Sequence, residues 1–315
     1  MNVDISDDII VDEEKLSEVY SQLSAFKNKH RLNFECYNRI IYNKDVSINN
    51  KQKFKSLFEI NSNLIRFRKK ITVVNKVQNE NDVLLDDLND VLSCRAVVII
   101  ENEHQDLDFI LTCMEAVEDG PDLAKYYNKM WQARGAGGCG DIPKLISKCF
   151  DEQVRISRIL VVNDSDKYHE SYATPVTQNK IAVRALEKKS EHVMLKKREI
   201  ENYIPIFILE KIFSPKYPKI SYFKSWSREQ RDYFDMKKGF HKNCRFDDAR
   251  YSSIYDGILP DHATAFYESG FGDDIAKKAF NEERRKSYTK KTLNLEAPEI
   301  YTEFCDIKDK LLSIL

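Results

Sequence analysis

Two stretches decide the fold of this chain: Ala96-Val97-Val98-Ile99-Ile100-Glu101 and Ile159-Leu160-Val161-Val162-Asn163-Asp164-Ser165-Asp166. Each opens on a short, wholly apolar run rich in β-branched residues, and each run stops at a polar, acidic end. A run without polar alternation fits a strand covered on both faces, as in a parallel sheet. Between the two, Leu107, Ile110, Leu111, Met114 and Val117 share one helical face. A short strand is expected near Tyr127–Ala133. Asp141 then serves as N-cap and Pro143 falls in the first turn of a helix whose buried stripe is Ile142, Leu145, Ile146, Cys149 and Phe150. A helix over 177–189 leads to the strand His192-Val193-Met194-Leu195. This β-α-β-α-β order predicts an α/β core with a parallel sheet and crossover helices, over residues 93–204.

Outward from that core, residues 1–92 read as a mostly helical region. Leu16, Val19, Tyr20, Leu23 and Phe26 recur at helical spacing, Phe54–Leu64 suggests a second helix, and Asp82–Leu92 a third; Ile71–Val77 is a candidate strand. Residues 205–315 are aromatic-rich and mostly helical, ending in a helix whose inner face is Ile300, Phe304, Ile307, Leu311 and Leu312. The 315 residues have room for more than one domain. A net charge of -1 leaves no global basic field, so any nucleic-acid contact must be a local patch. The seven cysteines are odd in number and show no C-x-x-C spacing, which argues for reduced thiols rather than a disulfide framework or zinc site. The acidic start Met1-Asn2-Val3-Asp4-Ile5-Ser6-Asp7-Asp8 is unlike a signal peptide, and no apolar run approaches a bilayer span. No membrane association and a cytoplasmic location are the expectation.

In open parallel sheets, ligands bind beyond the carboxyl ends of the strands. Glu101 and the pair Asp164 and Asp166 stand at such ends. Carboxylates crowded into one space take up protons or hold a cation, and oxygen donors suit Mg²⁺ or Mn²⁺. At i, i+2 spacing Asp164 and Asp166 face opposite ways in extended backbone, whereas a strand-to-loop turn can aim both at one centre. A solvated Asp-Ser-Asp turn is the plainer alternative. The segment Arg134-Gly135-Ala136-Gly137-Gly138-Cys139-Gly140 is not a P-loop, since no Gly-Lys-Ser/Thr follows. Its glycines permit a tight turn or a close backbone approach. His104, His169 and His192 form no ligand pattern, although His169 follows Asp166 closely. Basic runs at Lys188-Lys189, Lys196-Lys197-Arg198 and Arg284-Arg285-Lys286, and the mixed aromatic and lysine stretch Lys216–Trp226, read as solvated faces and core aromatics more readily than as nucleic-acid contacts.

A hydrophobic strand ending in Glu101, a central Gly135-Ala136-Gly137-Gly138 and a later strand ending in Asp164-Ser165-Asp166 together resemble a TOPRIM domain, the module shared by topoisomerases, primases and OLD-type nucleases. The match spans roughly 95–205. Lys197-Arg198-Glu199-Ile200-Glu201-Asn202-Tyr203-Ile204-Pro205 is similar to the segment after the last core strand of OLD-type nucleases, which implies a metal-side role for Glu201. Tyr233-Phe234-Asp235-Met236-Lys237-Lys238-Gly239 resembles a later segment that brings a lysine to the site, which implies Lys237, with Lys238 as its neighbour. The chain departs from the family in having Asn102 where Gly usually follows the first Glu. It also has Gln105 where an acid usually stands. Asn tolerates left-handed backbone, which would preserve the turn. Asp106, one position late, is the leading substitute for the acid, with Glu103 and Asp108 as alternatives.

The resemblance implies a Mg²⁺- or Mn²⁺-dependent endonuclease acting on DNA or RNA, tRNA included. Glu101, Asp106, Asp164, Asp166 and Glu201 would be its metal ligands and Lys237 its cationic group. The absence of a Walker motif from the sequence fits the stand-alone TOPRIM partner of the PARIS anti-phage system, which works beside an ABC-type ATPase. The alternative is a non-catalytic TOPRIM-like binding subunit, which Asn102 and Gln105 favour. Topoisomerase chemistry would need a nucleophilic tyrosine, and none of the sixteen is marked out.

Overall fold

The computed structural model describes residues 1–65, 67–118, 120–214, 217–241, 250–251 and 254–315. Lys216 and Cys244 lie outside them. The chain is α/β, with two separate four-stranded parallel sheets.

The central sheet consists of β5 (Ala96–Ile100), β6 (Trp131–Gly135), β7 (Ile159–Asn163) and β8 (Glu191–Met194), in the order β6-β5-β7-β8. All pairs are parallel, and Val97 stands beside both Gln132 and Ile159. Strand alternation divides the apolar runs between two faces. Ala96, Val98, Ile100, Leu160 and Val162 face a large core shared with the helix Gln105–Ala116 and the C-terminal region. Val97, Ile99, Ile159 and Val161 face the helices Ile142–Asp151 and Val176–Glu187, through Ile142, Ile146, Cys149, Ile181 and Ala185. This explains why β5 and β7 lack polar alternation: both faces are covered. The sixth strand begins at Trp131, later than the sequence suggested, and ends on Gly135.

The first 92 residues are rich in helix, as expected, but also contain a sheet that the sequence did not suggest. They hold the second sheet, β1 (Asn2–Ile5), β2 (Arg31–Leu32), β3 (Lys70–Val74) and β4 (Asp82–Leu84), in the order β2-β1-β3-β4. The helices Glu13–Ala25, Phe34–Tyr42, Ile48–Asn61 and Leu85–Ser93 surround it. These strands are only two to five residues long, too short for a periodic signal, and the alternation Val3-Asp4-Ile5 sits inside an acidic terminus. Only β3 had a legible apolar run. The expected helix over Asp82–Leu92 begins as β4 and turns helical at Leu85.

The described residues of 205–315 are helices and turns that pack onto the central sheet. The closing helix Pro298–Ile314 buries Ile300, Phe304, Ile307 and Leu311 in the same apolar cluster as β5 and β7. Phe304 meets Phe109 and Tyr203 at ring separations of 5.7 and 6.2 Å. At the strand ends remote from Glu101, the buried Arg158 joins three parts of the chain, donating to the carbonyls of Cys94 and Ile314. No described helix is long and apolar enough to cross a membrane.

Candidate functional site

The strand order reverses between β5 and β7, because the chain runs from β5 to β6 on one side and then crosses to β7 on the other. Such a reversal opens a crevice at the carboxyl ends of the two strands, where open α/β sheets bind ligands. Glu101 directly follows β5, and Asp164 directly follows β7.

The turn after Glu101 is held by side chains rather than by left-handed backbone. Asn102 is absent from the described non-glycine residues with positive φ, contrary to the expectation from sequence. Its side chain instead accepts from the amides of His104 and Gln105, at 3.1 and 3.3 Å, and opens the following helix. Asp106 reaches back, and its Oδ2 accepts from the amides of Glu101 and Asn102 at 3.0 and 2.9 Å. One helical turn restores Asp106 to the strand end. Of the alternatives, Asp108 pairs with Arg285 at 2.9 Å, and Glu103 is exposed.

The glycine-rich segment lies against this turn. The amides of Ala136 and Gly137 donate to the carbonyls of Ile100 and Glu101, both at 2.9 Å, and Gly137 has a φ of 81°. A Cβ on Gly135 would fall 2.6 Å from the Glu103 nitrogen, so only glycine fits that close approach. Beyond it, the Cys139 thiol donates to Glu101 Oε2 at 2.7 Å and lies 4.0 Å from Asp166 Oδ2. Burial, and then the bond to Glu101, push the Cys139 thiol far above the ordinary range.

The Asp164-Ser165-Asp166 turn is stitched to the segment after β8. The amides of Ser165 and Asp166 both donate to the Arg198 carbonyl at 3.1 Å, and Ser165 Oγ donates to the Lys197 carbonyl at 2.7 Å. Asp166 takes a φ of 52°, a conformation that Asp tolerates better than most residues. The two carboxylates therefore have different neighbours. Asp164 Oδ1 accepts from the Ile200 amide at 3.1 Å, whereas Asp166 accepts from Gln178 Nε2.

The lysine arrives from the C-terminal region. Asn202 donates to the carbonyls of Arg231 and Phe234, at 2.8 and 2.9 Å, and so docks the segment Glu199–Asn202 onto 231–235. Asp235 Oδ1 accepts from the amides of Lys237 and Lys238 and forms the turn that presents Lys237. Lys237 Nζ lies 3.1 Å from Glu199 Oε2 and 3.2 Å from Glu201 Oε1. Lys237, rather than the exposed Lys238, is thus the one that meets the acids. Both oxygens of Glu201 and Oε2 of Glu199 are nonetheless buried without an aligned hydrogen-bond donor.

The electrostatics follow from burial and crowding. Burial pushes the Asp164 carboxyl well above its ordinary range, reinforced by Glu201, Asp106 and Glu199. Asp166 is raised by burial, then by Glu199 and Glu101. Asp106 is pushed up to about 6, chiefly by burial, against the pull of its two amide donors. Glu201 is pushed up to about 7 by burial, with Lys237 pulling the other way. Burial works against the Lys237 ammonium, but Glu201 and Glu199 outweigh it and hold the lysine protonated beyond its usual range. Raised carboxyls around a held cation mark a site under electrostatic strain.

The structure therefore brings Glu101, Asp106, Asp164, Asp166, Glu201 and Lys237 to one end of the central sheet. Among the described residues, no three His, Cys, Asp or Glu side chains are drawn together tightly enough to hold an ion as they stand. The buried Glu201 Oε2, which has no hydrogen-bond donor, is nevertheless the kind of ligand that a hard divalent cation satisfies. Glu199, Cys139 and Gln178 were not singled out from sequence. The position of Glu199, two residues before Glu201, was the one available hint. His169 turns away to Ser171 and Tyr172, and His192 bonds Asn163. The basic runs are largely ion-paired, as in Lys189 with Glu80, Lys196 with Asp306 and Arg285 with Glu115, and Trp226 is buried in the core.

No family model matches the chain, and no curated protein or solved structure matches it either.

Proposed function

We propose that this chain is a metal-dependent endonuclease of TOPRIM type that cleaves phosphodiester bonds in DNA or RNA. One observation carries the reading: strand-end acids at the reversal of strand order meet Glu199, Glu201 and Lys237, with Glu201 Oε2 buried and without a hydrogen-bond donor. Glu101, Asp106, Asp164, Asp166 and Glu201 would hold Mg²⁺ or Mn²⁺. A divalent ion there supplies Lewis-acid polarisation of a phosphate and a bound water that ionises near neutral pH. Lys237 supplies positive charge for a phosphate oxygen as negative charge builds on it. The Ile200 amide orients Asp164, and Asp106 fixes the strand end that carries Glu101. By its resemblance to the stand-alone TOPRIM partner of the PARIS system, the chain would act beside an ABC-type ATPase, as an effector of anti-phage defence.

The test is cleavage of single-stranded DNA, duplex DNA and tRNA by the purified chain with Mn²⁺, alone and with an ATPase partner. Cleavage should fall by about 100-fold or more in Glu101→Gln and Asp164→Asn, the scale on which lost electrostatic stabilisation is read. Absence of metal-dependent cutting, or variants that cut at the parental rate, overturns the reading.

A second reading, a non-catalytic binding subunit, is favoured by the internal pairing of Glu101 with Cys139 and of Glu201 with Lys237. Calorimetric Mn²⁺ titration separates the two. The nuclease reading requires binding that Asp164→Asn weakens, and the binding-subunit reading requires none.

A further inference from the structure

Beside the acids lies a cavity of about 660 Å³, whose walls include Tyr168, Arg198, Lys237, Lys238, Tyr251 and Tyr255. Its connection to the site is covalent and close. Tyr168 follows Asp166 by two residues, Arg198 precedes Glu199, and Lys237 spans both, meeting Glu199 and Glu201 on one side and lining the cavity on the other. The wall is aromatic: the Arg198 guanidinium packs over the Tyr168 ring at 4.6 Å, Tyr168 meets Tyr251 edge-on at 6.0 Å, and Tyr251 meets Tyr255 at 5.6 Å. Arg198 is held in place by Glu199 at 3.3 Å and Asp235 at 3.6 Å. Glu268 and Asp273 also line the cavity and offer acceptors to an exocyclic amine.

We infer that this cavity is a subsite for one unpaired nucleobase next to the phosphate held at Lys237, so that the substrate is single-stranded or looped nucleic acid. The inference rests on the nuclease reading and narrows its substrate class. The chemistry matches part by part. Planar rings and a guanidinium plane stack bases, lysines take the flanking phosphates, and carboxylates accept from base amines. The cavity falls in the size range of small-ligand pockets, which suits one nucleotide. A base inside a duplex has both faces covered by its neighbours, so a concave aromatic pocket admits only a base that has left the stack.

The probe is a short single strand carrying the fluorescent base 2-aminopurine at each position in turn, made as DNA and as RNA, and titrated with the full chain in EDTA. Emission should fall several-fold at one position and much less in a blunt duplex, and the sugar that gives the deeper fall identifies the substrate. Tyr168→Phe should keep the quench. Tyr168→Leu should abolish it, and Arg198→Lys, which removes the guanidinium plane but keeps the charge, should weaken it. Unchanged emission at every position in both sugars, an equal fall in the duplex, or a full quench in both Tyr168→Leu and Arg198→Lys overturns the proposal. The two readings fail separately. A strand quenched in EDTA but left whole after Mn²⁺ addition sinks the nuclease and leaves the base subsite standing, and cutting without quenching does the reverse.

Discussion

Asp164 takes one amide hydrogen bond and is otherwise surrounded by acids, with Lys237 as the cation acting on it. Its raised pKa means that the native state binds a proton the unfolded chain releases near pH 4. The stability this represents is fully present below that pH and is lost as pH rises through the native value. Asp106 and Glu201 add to the same trend, at about 6 and about 7. The metal-free protein should therefore be more stable at pH 5 than at pH 8, as thermal unfolding in EDTA would read. Asp164→Asn keeps the acceptor for Ile200 and removes the charge. It should raise stability at pH 8 by ~1 kcal/mol or more, since an uncompensated buried charge costs several, and change little at pH 4. A divalent cation reverses the balance. Saturating Mn²⁺ at pH 8 should add about 2–3 kcal/mol at a hundred times its Kd, and the gain should fade below pH 6 as Asp106 and Glu201 take up protons.

At the scale of elements, two turns carry the site, and their chemistry differs from what sequence suggested. The turn after Glu101 works through the side chains of Asn102 and Asp106, with Gly135 pressed against Glu103 from the neighbouring strand. Gly135→Ala places a methyl 2.6 Å from the Glu103 nitrogen. Overpacking of this kind costs about 1–3 kcal/mol, so urea unfolding should show that loss, and Mn²⁺ affinity should drop because the Glu101 turn moves. The strands β5 and β7 and their terminal acids were legible because burial on both faces leaves an unbroken apolar run, and the strand order placed them where ligands bind. Of the N-terminal strands only β3 was legible; β1, β2 and β4 were not, because two to four residues carry no period that separates strand from loop. Glu199 and Cys139 escaped notice for another reason. Their importance comes from tertiary contacts with Lys237 and Glu101, across 38 residues of chain in each case, and no local pattern encodes a partner at that separation.

At the scale of the whole molecule, the expected flank of residues 205–315 is continuous with the central sheet. Ile100, Leu160, Met236, Phe240, Phe304 and Leu311 belong to one apolar cluster. Phe304→Ala, at a fully buried position more than 60 residues from Lys237 in sequence, should cost about 3–5 kcal/mol and lower cleavage and stability together, measured as activity beside the unfolding midpoint. That shared cluster also sets how the native state opens. The residues on either side of Lys237 are anchored in the same apolar mass as the strand that ends in Glu101. The segment that carries Lys237, held through Met236 and Phe240, should therefore not melt away from the sheet on its own. In deuterium, the backbone amides of β5 and of Pro298–Ile314 should exchange with one common protection factor, close to that of global unfolding.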